Sequence, residues 1–420
     1  MATPIFTLEA LEAAEGDALL LHYGSKEKPR LIVIDGGPKD IFKKSLSPRL
    51  KTIRQARGGG SLEIRMVMVS HIDGDHITGV IDLANELLSL QDAGDELPYD
   101  ILTLWHNSFD DLIAKVSAEA QVHVARVKPS ALSAEAAAVA ADVKQGRNLR
   151  MLANRLSMNL NSGFDDLVVF NGSKSESTLD IGEQLSFVVL GPRQAEIDAL
   201  EEKWANEVRA LINKEKAVKK KTATKKAATK KAGAKISDLA EGASTAEIIA
   251  MAESLLTPAQ LEVAAAAFLD DSIPNLSSVV VLATLDNKAM LLTGDARGDL
   301  ILDSLRDCKL LPKTGGTVHF DLLKMPHHGS DRNMTKGFLQ AVTADHYVFS
   351  ADGKNGNPDV ATFEMLFAAR PKGGYTLWIT NDVPKTTKFL SANKPKKVEV
   401  NIRKDPQRSL KVELGTKVHF

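Results

Sequence analysis

Residues 62–90 place three patterns in a fixed order. LEIRMVMVS (62–70) is a short apolar run of strand character. SHIDGDH then sets His71, Asp73, Asp75 and His76 within six positions, and Ile77, Val80, Ile81, Ala84, Leu87 and Leu88 follow at helical spacing. Strand, polar loop and helix in succession commit this part of the chain to an α/β architecture. Four ionisable groups that close together cannot be buried unpaired. Either they form a solvated turn, with Asp75 capping the helix, or they converge on something charged.

The same alternation extends along the chain. Strand patterns are expected at 17–24, 30–37 and 100–108, and again at 277–285, 288–296, 319–330, 345–351 and 375–382. Asp286-Asn287 reads as a tight hairpin turn. The tail, 396–414, reads as a terminal hairpin. Between the two strand-rich regions lies a mainly helical insertion, 111–270, in which strand character returns at 166–173 and 184–193. Helices are expected at 195–216 and 244–270. The expected organisation is therefore a split α/β domain (1–110 and 271–385), the insertion, and a C-terminal hairpin over 386–420.

Charge is distributed unevenly. KEKAVKKKTATKKAATKKAGAK (214–235) carries ten lysines and one glutamate. Removing this +9 segment from a net charge of −1 leaves −10 on the rest. The segment has almost no large apolar residue, so it cannot bury a face and is expected to be flexible. Lys219, Lys220 and Lys221 are its densest run and its expected phosphate contacts; a merely solvated linker is the alternative. No apolar run reaches the 18 residues of a membrane span. A single cysteine, Cys308, excludes an intrachain disulfide and fits a reducing compartment, so a cytoplasmic protein without membrane contact is expected.

Chemistry concentrates at three strand ends: the 71–76 cluster, Asp295 in LLTGDA, and His327-His328 in LKMPHHGS. Imidazoles and carboxylates from several loops are the donors that divalent metals take. In this set the chain resembles the metallo-β-lactamase superfamily, whose His-x-His-x-Asp-His motif here reads His71-x-Asp73-x-Asp75-His76. It resembles most the hydrolase domain of ComEC-type competence proteins, through SHIDGDH, NLSSVVVLA (275–283), LLTGDA, LKMPHHGS and VFSADGKNGNP (348–358). VIDGG, with Asp35, looks like the family's early Asp-Gly-Gly turn.

The resemblance implies an αββα sandwich carrying one or two manganese or zinc ions. Asp75, His76 and one of His327 and His328 would hold one ion, His71 and Asp73 the other, and Asp295 would bridge. Asp75 and His328 are the expected catalytic residues. Asp73 stands where most of the superfamily has histidine, which tilts the first site from zinc towards manganese. The family's middle histidine is missing after SFVVLGP; His106 is its possible substitute or a packed neighbour. Asp35 is expected to hold a ligand in place, and Ser330 and Asn275 to contact substrate. His22, His123, His319 and His346 are expected to be structural. The implied activity is phosphodiester hydrolysis, with DNA as substrate and hydroxide held between the metals as nucleophile. By analogy alone it would work with a protein partner in bacterial defence. The competing readings are a small-molecule ester hydrolase and a DNA-binding module whose metal site has decayed.

Overall fold

Strand β1 (Ile5–Leu11) is buried along its whole length although it contains Thr7 and Glu9. Those polar residues broke its apolar pattern and kept it out of the sequence reading. The computed structural model describes residues 4–107, 145–146, 148–195, 197, 277–404, 406 and 408–417. Of two compact units, Met1–Asn107, Asn148–Gln194 and Pro274–Phe420 form the first, to which all elements below belong. Asn275, the lysine tract with Lys219, Lys220 and Lys221, the 244–270 helix and most of the 195–216 helix lie outside the described residues.

After β1 come β2 (Leu19–Gly24), β3 (Pro29–Ile34), helix α1 (Ser47–Ala56), β4 (Leu62–Ile64), β5 (Met66–Met68), helix α2 (Gly74–Ala93), β6 (Tyr99–Ile101) and β7 (Thr103–Trp105). Next are β8 (Asn159–Leu160), β9 (Thr178–Gly182), β10 (Leu185–Gly191), β11 (Val280–Leu285), β12 (Lys288–Leu292), α3 (Gly298–Asp307), β13 (Val318–Lys324) and α4 (Lys336–Ala341). The chain ends with β14 (Val342–Phe349), α5 (Val360–Ala369), β15 (Tyr375–Ile379), α6 (Pro384–Asn393), β16 (Val398–Ile402) and β17 (Ser409–Glu413).

Two large mixed sheets result, ordered β17-β1-β2-β3-β5-β7-β8 and β16-β15-β14-β13-β12-β11-β10-β9. Alternation along the strands divides the apolar side chains among three cores. Phe6, Leu8, Ile32 and Met68 of the first sheet pack with Phe187, Val281, Met290 and Val348 of the second. On its other face the first sheet gives Leu20, Val33 and Val67 to Leu50 and Ile53 of α1 and to Ile77, Val80 and Leu87 of α2. The second sheet gives Leu282, Leu291 and Tyr347 to Ile301, Phe338, Phe363 and Leu390 of α3 to α6. The layers run helices, sheet, sheet, helices.

Several local expectations change. The runs at 62–70 and 100–108 each divide in two, because β4 and β6 pair in a small separate sheet while β5 and β7 join the first large one. Residues 166–173 form one bridge, Phe170 to Arg193, instead of a strand. The Asn107 side chain brackets Val168 there, accepting from its N at 2.8 Å and donating to its O at 2.8 Å, in place of a neighbouring strand. The strand expected at 184–193 forms as β10 and, with β9, extends the second sheet, because Phe187 and Val189 face one core and Val188 and Leu190 another. The tail is not a hairpin. β16 pairs with β15 and β17 with β1, each finding an open edge of a different sheet. The hairpin at Asp286-Asn287 forms, with Leu285 opposite Lys288.

Glu9 makes a stability prediction. It is buried beneath α1, accepting Arg49 Nε at 2.8 Å and Nη2 at 3.1 Å and bonding His22 Nε2 at 2.9 Å. Burial pushes its carboxyl up, but His22 and Arg49 outweigh this and hold it at about 2. Burial pushes His22 down, against the pull of the Glu9 carboxylate. A carboxylate lowered this far contributes about 3 kcal/mol above its ordinary value near 4.5, lost as pH falls from there towards 2. Urea midpoints measured from pH 6 to pH 2.5 should fall less steeply in Glu9→Gln than in the parent. Parallel curves would remove this assignment.

Candidate metal centre

The three motifs meet because parallel strands end together. Asp35 follows β3, residues 70–76 follow β5 and His106 follows β7, all parallel neighbours in the first sheet. Asp295, His327-His328 and Ser350 follow β12, β13 and β14, parallel neighbours in the second. This edge is where open α/β sheets bind ligands. Helix α2 comes close enough to deliver His76 because two glycines touch: a Cβ on Gly79 would lie 1.9 Å from Gly36 O. Gly36 N donates to His76 O at 2.7 Å across the same contact.

Asp295 is the hub, 2% exposed. Its Oδ1 lies 3.5 Å from His76 Nε2, and its Oδ2 lies 3.4 Å from His328 Nε2 and 3.7 Å from both His71 Nε2 and His327 Nε2. Asp75 Oδ2 is 3.6 Å from His328 Nε2, and Asp73 Oδ2 is 3.6 Å from His71 Nε2. The His76 and His328 Nε2 atoms face each other at 3.2 Å. Two imidazole nitrogens so placed can share one proton or a cation, and otherwise repel. Both histidines of the HHGS turn reach the hub because His327 and His328 have φ of 45° and 54°, ahead of Gly329 at 85°. Consecutive left-handed residues other than glycine are strained backbone of the kind found at functional sites.

Side chains around the cluster fix the rings. Asp35 Oδ2 is 2.9 Å from His76 Nδ1 and accepts from Ser70 Oγ at 2.7 Å. Asp35 thus fixes the His76 ring. Asn333 Oδ1 is 2.7 Å from His327 Nδ1, and Asn333 Nδ2 donates to Asp295 O at 2.9 Å. His328 Nδ1 donates to Ser350 O at 2.9 Å. Ser330 Oγ is turned to its own loop, accepting from Arg332 N at 3.4 Å. His106 is buried, with Asn161 accepting from its backbone N at 2.8 Å and donating to its O at 3.1 Å.

The buried carboxylates and imidazoles of the cluster shift one another's proton affinity strongly. Burial pushes the Asp295 carboxyl up, but His328, His76 and His71 hold it well below the ordinary carboxylate range. Burial likewise works against charge on His76 and His328, yet Asp295 first, with Asp75 and Asp35 on His76 and Asp17 on His328, holds both well above the usual imidazole range. Asp75 is drawn down to about 2 by His76 and His328 against its burial. A metal bound here would take the imidazole nitrogens in their deprotonated form.

Four buried residues, Asp17, His76, Asp295 and His328, offer ligand atoms within 4.8 Å of one another and could hold a metal ion. The donors suit a divalent ion, and Asp295 Oδ1 and His71 Nε2 are buried with no hydrogen-bond partner among the described residues. Asp17 was missed from sequence: a lone aspartate in EGDALL carries no ligand spacing. Lys324, buried at the end of β13 and 2.5 Å from Asp17 Oδ2, was the better signal, a lysine closing an apolar strand. A separate cavity of about 590 Å³ lies along the same strand ends, lined by Asp352, Asn381, Asp382, Ile402, Arg403 and Lys404. No helix among the described residues is long and apolar enough to cross a membrane. The chain matches no protein-family model and no curated protein.

Proposed function

We propose that the chain is a metal-dependent phosphodiesterase of the metallo-β-lactamase fold and that its substrate is DNA. One observation carries this reading: a buried Asp295 carboxylate surrounded by imidazoles delivered from the strand ends of both sheets. The helix–sheet–sheet–helix layering and the order of the motifs support it.

In this reading Asp75, His76 and His328 would hold one ion, with Asp295 within reach of them, and His71, Asp73 and His327 would be the donors for a second. When bound, divalent ions supply Lewis acidity, activating water near neutral pH and offsetting charge on phosphoryl oxygens. The chain's own residues do the positioning. Asp35 and Ser70 orient His76, Asn333 orients His327, and the left-handed turn at 327–329 aims both rings at Asp295.

Metal choice gives a direct test. Asp73 contributes a hard oxygen where an imidazole would favour zinc. Asp73→His should raise zinc affinity at one site relative to manganese, measured by competition with a chromogenic chelator. Equal zinc affinity in the two proteins would remove the argument. The neighbouring cavity, where Asp352 and Asp382 are balanced by Arg403 and Lys404, is of a size for a small molecule and supports a second reading, hydrolysis of small phosphoesters. Manganese-loaded protein assayed on plasmid DNA and on bis-p-nitrophenyl phosphate separates the two: DNA cutting supports the nuclease, cleavage of the small ester alone the alternative.

A further inference from the structure

We infer that the turn Gly16–Asp17 is the clamp that positions the Asp75–His328 half of the centre, and that Asp17 itself is not a metal ligand. This rests on the metal reading above and assigns a residue to its support. The turn joins both sheets at the point where they meet. Asp17 N donates to Asp75 O at 3.2 Å. Ser350 Oγ donates to Gly16 O at 2.7 Å, while Ser350 O accepts from His328 Nδ1 at 2.9 Å. One turn therefore holds the backbone of one donor residue and the residue that fixes the ring of another.

One oxygen of Asp17 is taken by a lysine, and the other, buried without a hydrogen-bond partner among the described residues, faces the far side of a histidine ring. Its Oδ2 meets Lys324 Nζ at 2.5 Å, both side chains being 1% exposed. A lysine is almost never buried to that degree unless paired. Its Oδ1 lies 3.5 Å from His328 Nδ1, the ring nitrogen opposite the Nε2 that faces Asp295. Ser350 O selects the Nδ1–H tautomer, and a carboxylate charge beside that remote nitrogen raises the basicity of the ligating one. Lys324 neutralises the carboxylate, so the centre gains its orientation without another net negative charge.

Gly16 reports the same clamp from a different side. A Cβ there would stand 1.9 Å from Asp75 O and 2.9 Å from Pro38 Cδ. Gly16→Ala changes no polar side chain yet must push the turn off Asp75.

The test uses full-length protein, zinc as probe, chelator competition for affinity, and elemental analysis for ion count. Gly16→Ala and the double variant Asp17→Asn with Lys324→Met are compared with the parent; the double variant leaves no unpaired buried charge behind. Both should keep the parent's ion count while one site weakens about 10- to 100-fold, the usual cost of losing a ligand's support. Nitrogen-15 spectra of the zinc-loaded double variant should still show a proton on His328 Nδ1, since Ser350 O remains its acceptor. Loss of a whole ion from the double variant would make Asp17 a ligand and overturn the inference. Unchanged affinity in both variants would overturn it too, leaving an ordinary turn. A parent that binds no zinc would instead sink the metal reading itself, and this inference with it.

Discussion

Asp295→Asn is expected to lose bound metal and to slow phosphodiester hydrolysis by about a thousandfold or more, about 4 kcal/mol of barrier. Asparagine keeps the size of the side chain and the backbone contacts, Asp295 N to Ser278 Oγ at 3.2 Å and Asn333 Nδ2 to Asp295 O at 2.9 Å. It removes the carboxylate charge that faces all four Nε2 atoms, of His71, His76, His327 and His328, at 3.4–3.7 Å. The metal-free variant loses the partner of buried imidazoles and should unfold below the metal-free parent, so metal content and activity are compared where both are folded. Full metal content with full activity in Asp295→Asn would contradict the shared role.

What the sequence made legible was local. His71, Asp73, Asp75 and His76 sit between an apolar run and a helix, so their place at a strand end could be read without a partner strand. Asp295 and His327-His328 were readable for the same reason. The histidine pair could not be divided between roles, because two left-handed residues in succession decide where each ring points. Asp17 and Ser350 were out of reach: their importance lies in contacts between residues more than 300 positions apart, such as Ser350 Oγ to Gly16 O. The tail was misread because alternation identifies a strand but not its partner. β16 and β17 are adjacent in sequence and belong to different sheets.

Deleting residues 214–235 is expected to weaken DNA binding evenly across sequences and to flatten its dependence on salt. The body without this segment carries −10 and repels a polyanion on average. Ten lysines in the tract supply local positive charge that contacts phosphates without reading bases. Each contact contributes about −0.9 to the slope of log affinity against log salt. Five or six contacts amount to roughly a thousandfold between about 50 and 200 mM salt. Turnover of bis-p-nitrophenyl phosphate should be unchanged, since the centre is built from other segments. Identical DNA affinity and salt slope in the deletion would leave the tract a solvated linker.

The central claim is that the cluster around Asp295 is a divalent metal centre. Crystals grown with manganese or zinc, and data collected on either side of the metal's absorption edge, test it most directly. The account predicts an anomalous peak between the Asp295 carboxylate and the Nε2 atoms of His76 and His328, present in the parent and gone in Asp295→Asn. A parent crystal with no peak at that position, or with its metal held elsewhere, would contradict it.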